Sequence, residues 1–250
     1  MIRTITDTAS AAAHLVETFT PLIDLVELWR RDLELFFEGA SEVDSAQIDA
    51  HMQRLAVPRV TADGTAIVGA GFVATPGRLA DAQWHLAWWL SPPAPGTSAR
   101  RLATSANPDS ESFRDYTALE WWRVPVQTGR RHLTGPYIDF LCTDDYTITV
   151  TAPVRDGDTA GVTGIDLDVA RLERLLLPAL LQSDASLTLV NASARTVLST
   201  DPRTPTGAIL RVDGLSDALA AAARSGCTSL SDRGAVVACG DTGLFLVQRR

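Results

Sequence analysis

The sequence predicts an α+β protein, a helical N-terminal segment followed by antiparallel sheets with helices packed on them. Three observations carry this reading. Apolar residues recur at helical spacing from about Ser10 to Phe37. Beyond residue 64 the chain breaks into short β-rich runs, two of them (TITVTAPV and AGVTGIDLDV) joined by the Asp-Gly turn signal RDGD. The final stretch reads strand, strand, helix, strand, strand, strand, the order of a small antiparallel sheet covered on one face.

The elements follow in order. Leu15, Phe19, Leu22, Ile23, Val26, Trp29, Leu33, Phe36 and Phe37 form the first helical stripe. Pro21 lies inside it, so either one long helix kinks there or a second begins with Thr20 as N-cap. Gly39 supplies a stop, and Asp44 or Ser45 caps a shorter helix running to Leu55. Strands are predicted over 65–74, 84–90, 136–141, 146–154 and 160–169, and one or two helical turns over 110–119. The three prolines of 91–96 mark a loop, and a broad-faced helix covers 170–181. The smaller unit has strands over 186–191, 195–199, 228–231, 235–239 and 243–247 and an alanine-rich helix over 215–224. The divisions expected are a helical segment 1–57, a larger module 58–182 and a smaller one 183–250.

Composition excludes several chemistries. Of 250 residues 22 are basic, and every one is arginine. Without lysine there is no Schiff-base nucleophile, no phosphate-loop GK[ST] and no kinase-type strand lysine. A net charge of -8 with no basic stripe argues against nucleic acid as a partner. Cys142, Cys227 and Cys239 are widely spaced and form no CxxC, so neither a zinc site nor a disulfide framework is expected, nor any other metal or cofactor. The start, MIRTITDTAS, lacks a signal pattern, and no run approaches 18 apolar residues. A cytoplasmic protein without a membrane partner is expected.

Few residues announce catalysis. Gly69-Ala70-Gly71 follows a strand, but the third glycine of a dinucleotide fingerprint is missing, and close strand packing explains it better. His14, His51, His85 and His132 form no HxxxH, and no GxSxG or SxxK is present. The aromatic distribution is more informative. Trp84, Trp88, Trp89, Trp121 and Trp122, with Tyr116, Tyr137 and Tyr146, fall between residues 84 and 146, among Asp115, Glu120, Asp139, Asp144 and Asp145. Adjacent residues of a strand face opposite sides, so neither Trp-Trp pair is expected to lie wholly in one core. Aromatic walls with carboxylates at the rim suit an organic cation.

The segments DYTALEWWRVPVQTGRRHLTGPYIDF (115–140), TITVTAPV (147–154) and GVTGIDLDVARLE (161–173) resemble the ligand-binding module of the double-Cache sensor family. The resemblance implies one long helix, a larger distal PAS-like module and a smaller proximal one. It sets Trp121 at the family's box tryptophan, Trp122 at its tyrosine, Tyr137 at the Pro-Tyr tyrosine and Asp166 at the aspartate that holds a ligand ammonium. Leu119 stands where the amino-acid-sensing branch has the arginine that grips a carboxylate. Arg114 stands at the branch's upstream tyrosine, with Tyr116 two residues later.

Leucine cannot replace a bidentate guanidinium, and Glu120 beside it adds negative charge. The expected function is a non-enzymatic, stand-alone sensor of an amine: a biogenic amine, a polyamine or a quaternary ammonium. The expected ligand set is Tyr116, Glu120, Trp121, Trp122, Tyr137, Asp139, Asp166 and Asp168. Output would pass to a protein partner of unknown identity, and the N-terminal helix offers a homodimer surface. The alternatives are an amino-acid or carboxylate sensor of the same family, an enzyme acting on an amine, and a structural dimerisation module.

Overall fold

A computed structural model describes residues 2–94, 96–140, 144–230 and 234–249. Cys142 lies outside the described residues, as do Leu141 and Ser231, the ends of two predicted strands. The chain opens with α1 (Ile2–Glu38), about 55 Å long at 1.5 Å per residue, and continues through Pro21 as one helix. Proline there removes one helical hydrogen bond, but Leu15 and Phe19 before it and Val26 and Leu33 after it are fully buried on a single stripe. That continuous burial holds the helix together across the break. α2 (Ser45–Val60) begins at the predicted cap. Asp44 Oδ1 accepts from the Gln47 backbone N–H at 2.8 Å, and Gln47 Oε1 accepts from the Asp44 N–H at 2.9 Å. This reciprocal box satisfies two otherwise orphaned donors.

Six strands build the first sheet: β1 (Ile67–Ala74), β2 (Leu86–Leu90), β3 (Arg100–Arg101), β4 (His132–Ile138), β5 (Tyr146–Asp156) and β6 (Asp158–Asp168). Their order is β3-β2-β1-β6-β5-β4, antiparallel throughout. The predicted Asp-Gly hairpin joins β5 to β6, with Gly157 at φ 68° where a side chain would be strained. A single 3₁₀ turn (Tyr116–Ala118) and α3 (Glu120–Thr128) cross the outer face of the sheet. α3 corrects the reading of Trp121-Trp122 as a strand pair. α4 (Val169–Leu180) leads into the second sheet.

That sheet contains β7 (Ser186–Asn191), β8 (Thr196–Ser199), β9 (Cys227–Leu230), β10 (Gly234–Ala238) and β11 (Leu244–Arg249), in the order β8-β7-β11-β10-β9. α5 (Leu215–Ser225) covers its outer face through Leu215, Leu219 and Ala222.

Strand alternation sorts the cores. On β5, Ile148, Val150, Ala152 and Val154 point beneath α1 and α2, while Thr147, Thr149 and Thr151 point to the other face. The inner core runs unbroken from Phe72 and Trp89 along α1 to Leu189 and Leu246 of the second sheet. A separate aromatic core on the outer face holds Val73, Trp88, Leu90, Tyr116 and Trp122. Helix and two antiparallel sheets together form the α+β, two-module architecture predicted from sequence.

Asp44→Ala removes the α2 capping box. Stability is expected to fall by about 1 kcal/mol, read as a lower urea midpoint with unchanged slope.

Candidate functional site

The outer face of the first sheet is built around one carboxylate. In the ladder Asp166 of β6 sits directly between Gly69 of β1 and Thr149 of β5, so all three face the same way. Thr149 Oγ1 donates to Asp166 Oδ1 at 2.6 Å. Its own oxygen lies 2.7 Å from the Tyr137 hydroxyl. Because the single proton of Thr149 goes to the carboxylate, Tyr137 is the donor in that second contact. From β2, Trp88 Nε1 reaches across β1 to donate to Asp166 Oδ2 at 3.1 Å.

Trp88 can cross only because β1 carries glycine there. A Cβ on Gly69 would lie 2.5 Å from Asp166 Oδ2 and 2.7 Å from Trp88 Nε1. One on Gly71 would lie 2.7 Å from the Trp88 Cα. The Gly-Ala-Gly segment therefore makes room for a hydrogen bond and an indole, which is the close-packing reading of that motif.

Asp166, Thr149, Tyr137, Trp88, Trp121 and Asp139 line a cavity of about 60 Å³ together with Val73, Leu86 and Leu102. Asp166 and Asp139 are 6% and 7% exposed. Burial pushes the Asp166 carboxyl up to about 7, and the negative charge of Asp139 pushes the same way. The hydrogen bonds from Thr149 and Trp88 oppose both by favouring the ionised form. Among the described residues lining this cavity there is no arginine or histidine. The two carboxylates there share aromatic and apolar walls.

Two larger spaces flank it. A slot of about 400 Å³ on one side shares Leu86, Leu102 and Trp121 with the inner cavity and continues to Trp84, Phe113 and Tyr116. On the other side a groove of about 750 Å³ shares Trp121, Tyr137 and Asp139 and opens toward Asn191 and Arg195 of the second module. Trp121 borders all three spaces. Its first-turn position is held by Thr151, whose hydroxyl donates to the Trp121 carbonyl at 2.6 Å.

The eight predicted residues fall into three groups. Trp121, Tyr137, Asp139 and Asp166 meet at the inner cavity. Tyr116 forms a wall of the slot, its hydroxyl donating to the Ala74 carbonyl at 2.6 Å, and Glu120 stands in the groove with Oε1 2.9 Å from His132 Nε2. Trp122 and Asp168 are used elsewhere. Trp122 is buried in the outer core, roughly 100° around the helix from Trp121. Asp168 caps α4 by accepting from the Arg171 N–H at 2.6 Å.

Trp88 and Thr149 were not among the predicted residues, although they make the direct contacts to Asp166. The signal for Thr149 was legible: the alternation in TITVT puts threonine on the face opposite isoleucine and valine. Trp88 had a matching signal, since Trp88 and Trp89 are each 5% exposed but serve opposite cores.

A long helix and two antiparallel sheets, with an acidic–aromatic cavity on the first sheet, make up the two-module fold of the Cache, or PDC, type. More particularly, residues 98–174 match the family model described as the methyl-accepting chemotaxis protein-like, first PDC sensor domain. Solved structures share the fold across nearly the whole chain. The structure titled methyl-accepting chemotaxis protein X is 14% identical, with a TM-score of 0.66 over 98% of this chain and 96% of its own. The ligand-binding domain of the Pseudomonas aeruginosa PAO1 amino acid chemoreceptor PctC, in complex with GABA, is 14% identical, with a TM-score of 0.53 over 96% and 94%. That of the Pseudomonas fluorescens chemoreceptor CtaA, in complex with L-valine, is 14% identical, with a TM-score of 0.57 over 95% and 90%. No curated protein matches the chain. No helix among the described residues is long and apolar enough to cross a membrane.

Gly69→Ala is expected to break the Trp88–Asp166 hydrogen bond, costing about 2 kcal/mol, with a changed tryptophan emission maximum as the local readout. A second expectation concerns pH. Between about 4 and 7 an unfolded Asp166 would ionise while the folded one stays protonated, so the ligand-free protein loses stability as pH rises through that window. Compared with Asp166→Asn, which cannot ionise, the wild type should lose about 1.4 kcal/mol per pH unit and level off above pH 8. Parallel urea titrations at pH 5 and pH 8 measure the difference.

Proposed function

We propose that this protein is a sensor for an amine-type ligand, whose ammonium sits between Asp166 and Asp139 against the faces of Trp121 and Tyr137. The observation that carries this is two buried carboxylates lining one aromatic-walled cavity, with no basic side chain among the described lining residues. An ammonium would neutralise that charge, donate to the lone pairs left on Asp166 beyond those used by Trp88 and Thr149, and face the rings. Leu119, at the position where the amino-acid-sensing branch carries its carboxylate-gripping arginine, supports a ligand without an essential carboxylate. Output through a partner suits a sensor fold, and Leu28 and Leu35, 60% and 68% exposed one heptad apart on α1, provide the surface for a second copy of the chain.

Calorimetry at pH 8 tests the reading with n-butylamine, 1,4-diaminobutane, choline, L-valine and 4-aminobutyrate. Amines are expected to bind and the two amino acids to bind more weakly. The reverse order would refute the proposal. Asp166→Asn should abolish amine binding. Because the ammonium needs the ionised carboxylate, affinity should fall roughly tenfold for each pH unit below 7, and hold steady from pH 8 until the amine itself deprotonates.

A further inference from the structure

The cavity at Asp166, about 60 Å³, holds an ammonium and the carbon or two next to it, well short of the few hundred Å³ of an ordinary ligand site. Any larger amine must send its tail into the slot or into the groove. The two differ in chemistry. The slot is an aromatic enclosure: Trp84 meets Phe113 edge-to-face at 4.9 Å and Tyr116 at 5.2 Å, and Tyr116 stacks toward Trp121 at 6.4 Å. Two of its polar side chains are already bonded to backbone. The Tyr116 hydroxyl donates to Ala74 O, and Arg114 Nη1 donates to the carbonyls of Glu111 and Phe113. The slot therefore offers mainly ring faces and edges, with the Tyr116 hydroxyl and Arg114 Nη1 already used. Among its described lining residues the one charged side chain is Arg114, which repels a second ammonium. The groove instead mixes Glu120, Asn191 and Arg195 with apolar residues and is shared with the second module.

We infer that the ligand is a monoamine with a flat apolar tail, an arylalkylamine by class, whose ring occupies the slot between Trp84, Phe113, Tyr116 and Trp121. This rests on the amine reading of the Asp166 cavity and narrows it. Leu86, Leu102 and Trp121 line both spaces, so the tail would cross among these three side chains. Arg114 thereby acts against polyamines, as a specificity-determining residue that works by repulsion.

Calorimetry on the full chain at pH 8 with 2-phenylethylamine, n-butylamine and 1,4-diaminobutane tests this. The ring should improve affinity about tenfold over n-butylamine, and 1,4-diaminobutane should bind more weakly than n-butylamine. Phe113 is half-buried on a surface loop, so Phe113→Ala leaves the core intact. It should erase the preference for 2-phenylethylamine by weakening that ligand far more than n-butylamine, whereas a folding defect would weaken both alike. Arg114→Glu should raise the affinity for 1,4-diaminobutane. Tightest binding by 1,4-diaminobutane, or a ring preference that survives Phe113→Ala, would overturn the slot assignment while leaving the amine reading in place. Absence of binding by all three amines would remove both.

Discussion

Everything on the outer face of the first sheet is arranged around one buried carboxylate. An aspartate in an apolar core costs several kcal/mol unless its oxygens find donors. Asp166 finds one on each side, Trp88 from two strands away and Thr149 from the neighbouring strand. That need propagates outward. Trp88 reaches Asp166 only over glycine on β1, and Thr149 is itself supported by Tyr137. Those hydrogen bonds keep the carboxyl from rising further, but burial still leaves it near 7. A cation beside it would favour the ionised carboxylate, and the proposed amine reading rests on that chemistry.

The two faces of the sheet differ in chemistry. Beneath it, β-branched and aromatic side chains join α1, α2 and the second sheet into one continuous core. Above it, the same strands present threonine, glycine, aspartate and tryptophan to a cover made of the 3₁₀ turn and α3. A polar or ligand-sized space on the outer face does not interrupt the core that holds the modules together.

β4 connects the site to the second module. Its ladder with β5 is interrupted between Thr134 and Tyr137, and the Gly135 carbonyl there accepts from Asn191 Nδ2 at 2.6 Å. At one end of the strand Tyr137 and Asp139 border the inner cavity. Just before its other end, Arg131 is ion-paired with Asp241 and donates to its carbonyl. Gly207 lies against Tyr146, whose ring would meet a Cβ there at 2.5 Å. The edge strand that borders the cavity is thus also the one bonded to the turns of the smaller module.

Local periodicity and turn chemistry were legible in the chain itself. The amphipathic stripe of α1, the Asp44 cap, the Asp-Gly hairpin and the two-faced alternation of β5 depend on residues a few positions apart, and physics at that range is written in the sequence. Whether Pro21 divides α1 was not legible, because burial on both sides of it decides. The lining of the candidate cavity was half legible. Trp121, Tyr137, Asp139 and Asp166 could be named from aromatic clustering and family likeness, but Asp168 serves a helix cap and Trp122 the outer core. The faces of Thr149 and Trp88 were legible but their pairing with Asp166 was not, since Trp88 lies 78 residues away and reaches it only through the order and register of three strands. The sequence by itself determined which faces each element would have. Tertiary structure alone decided which faces would meet, because register between distant strands is set by the packing of the whole sheet.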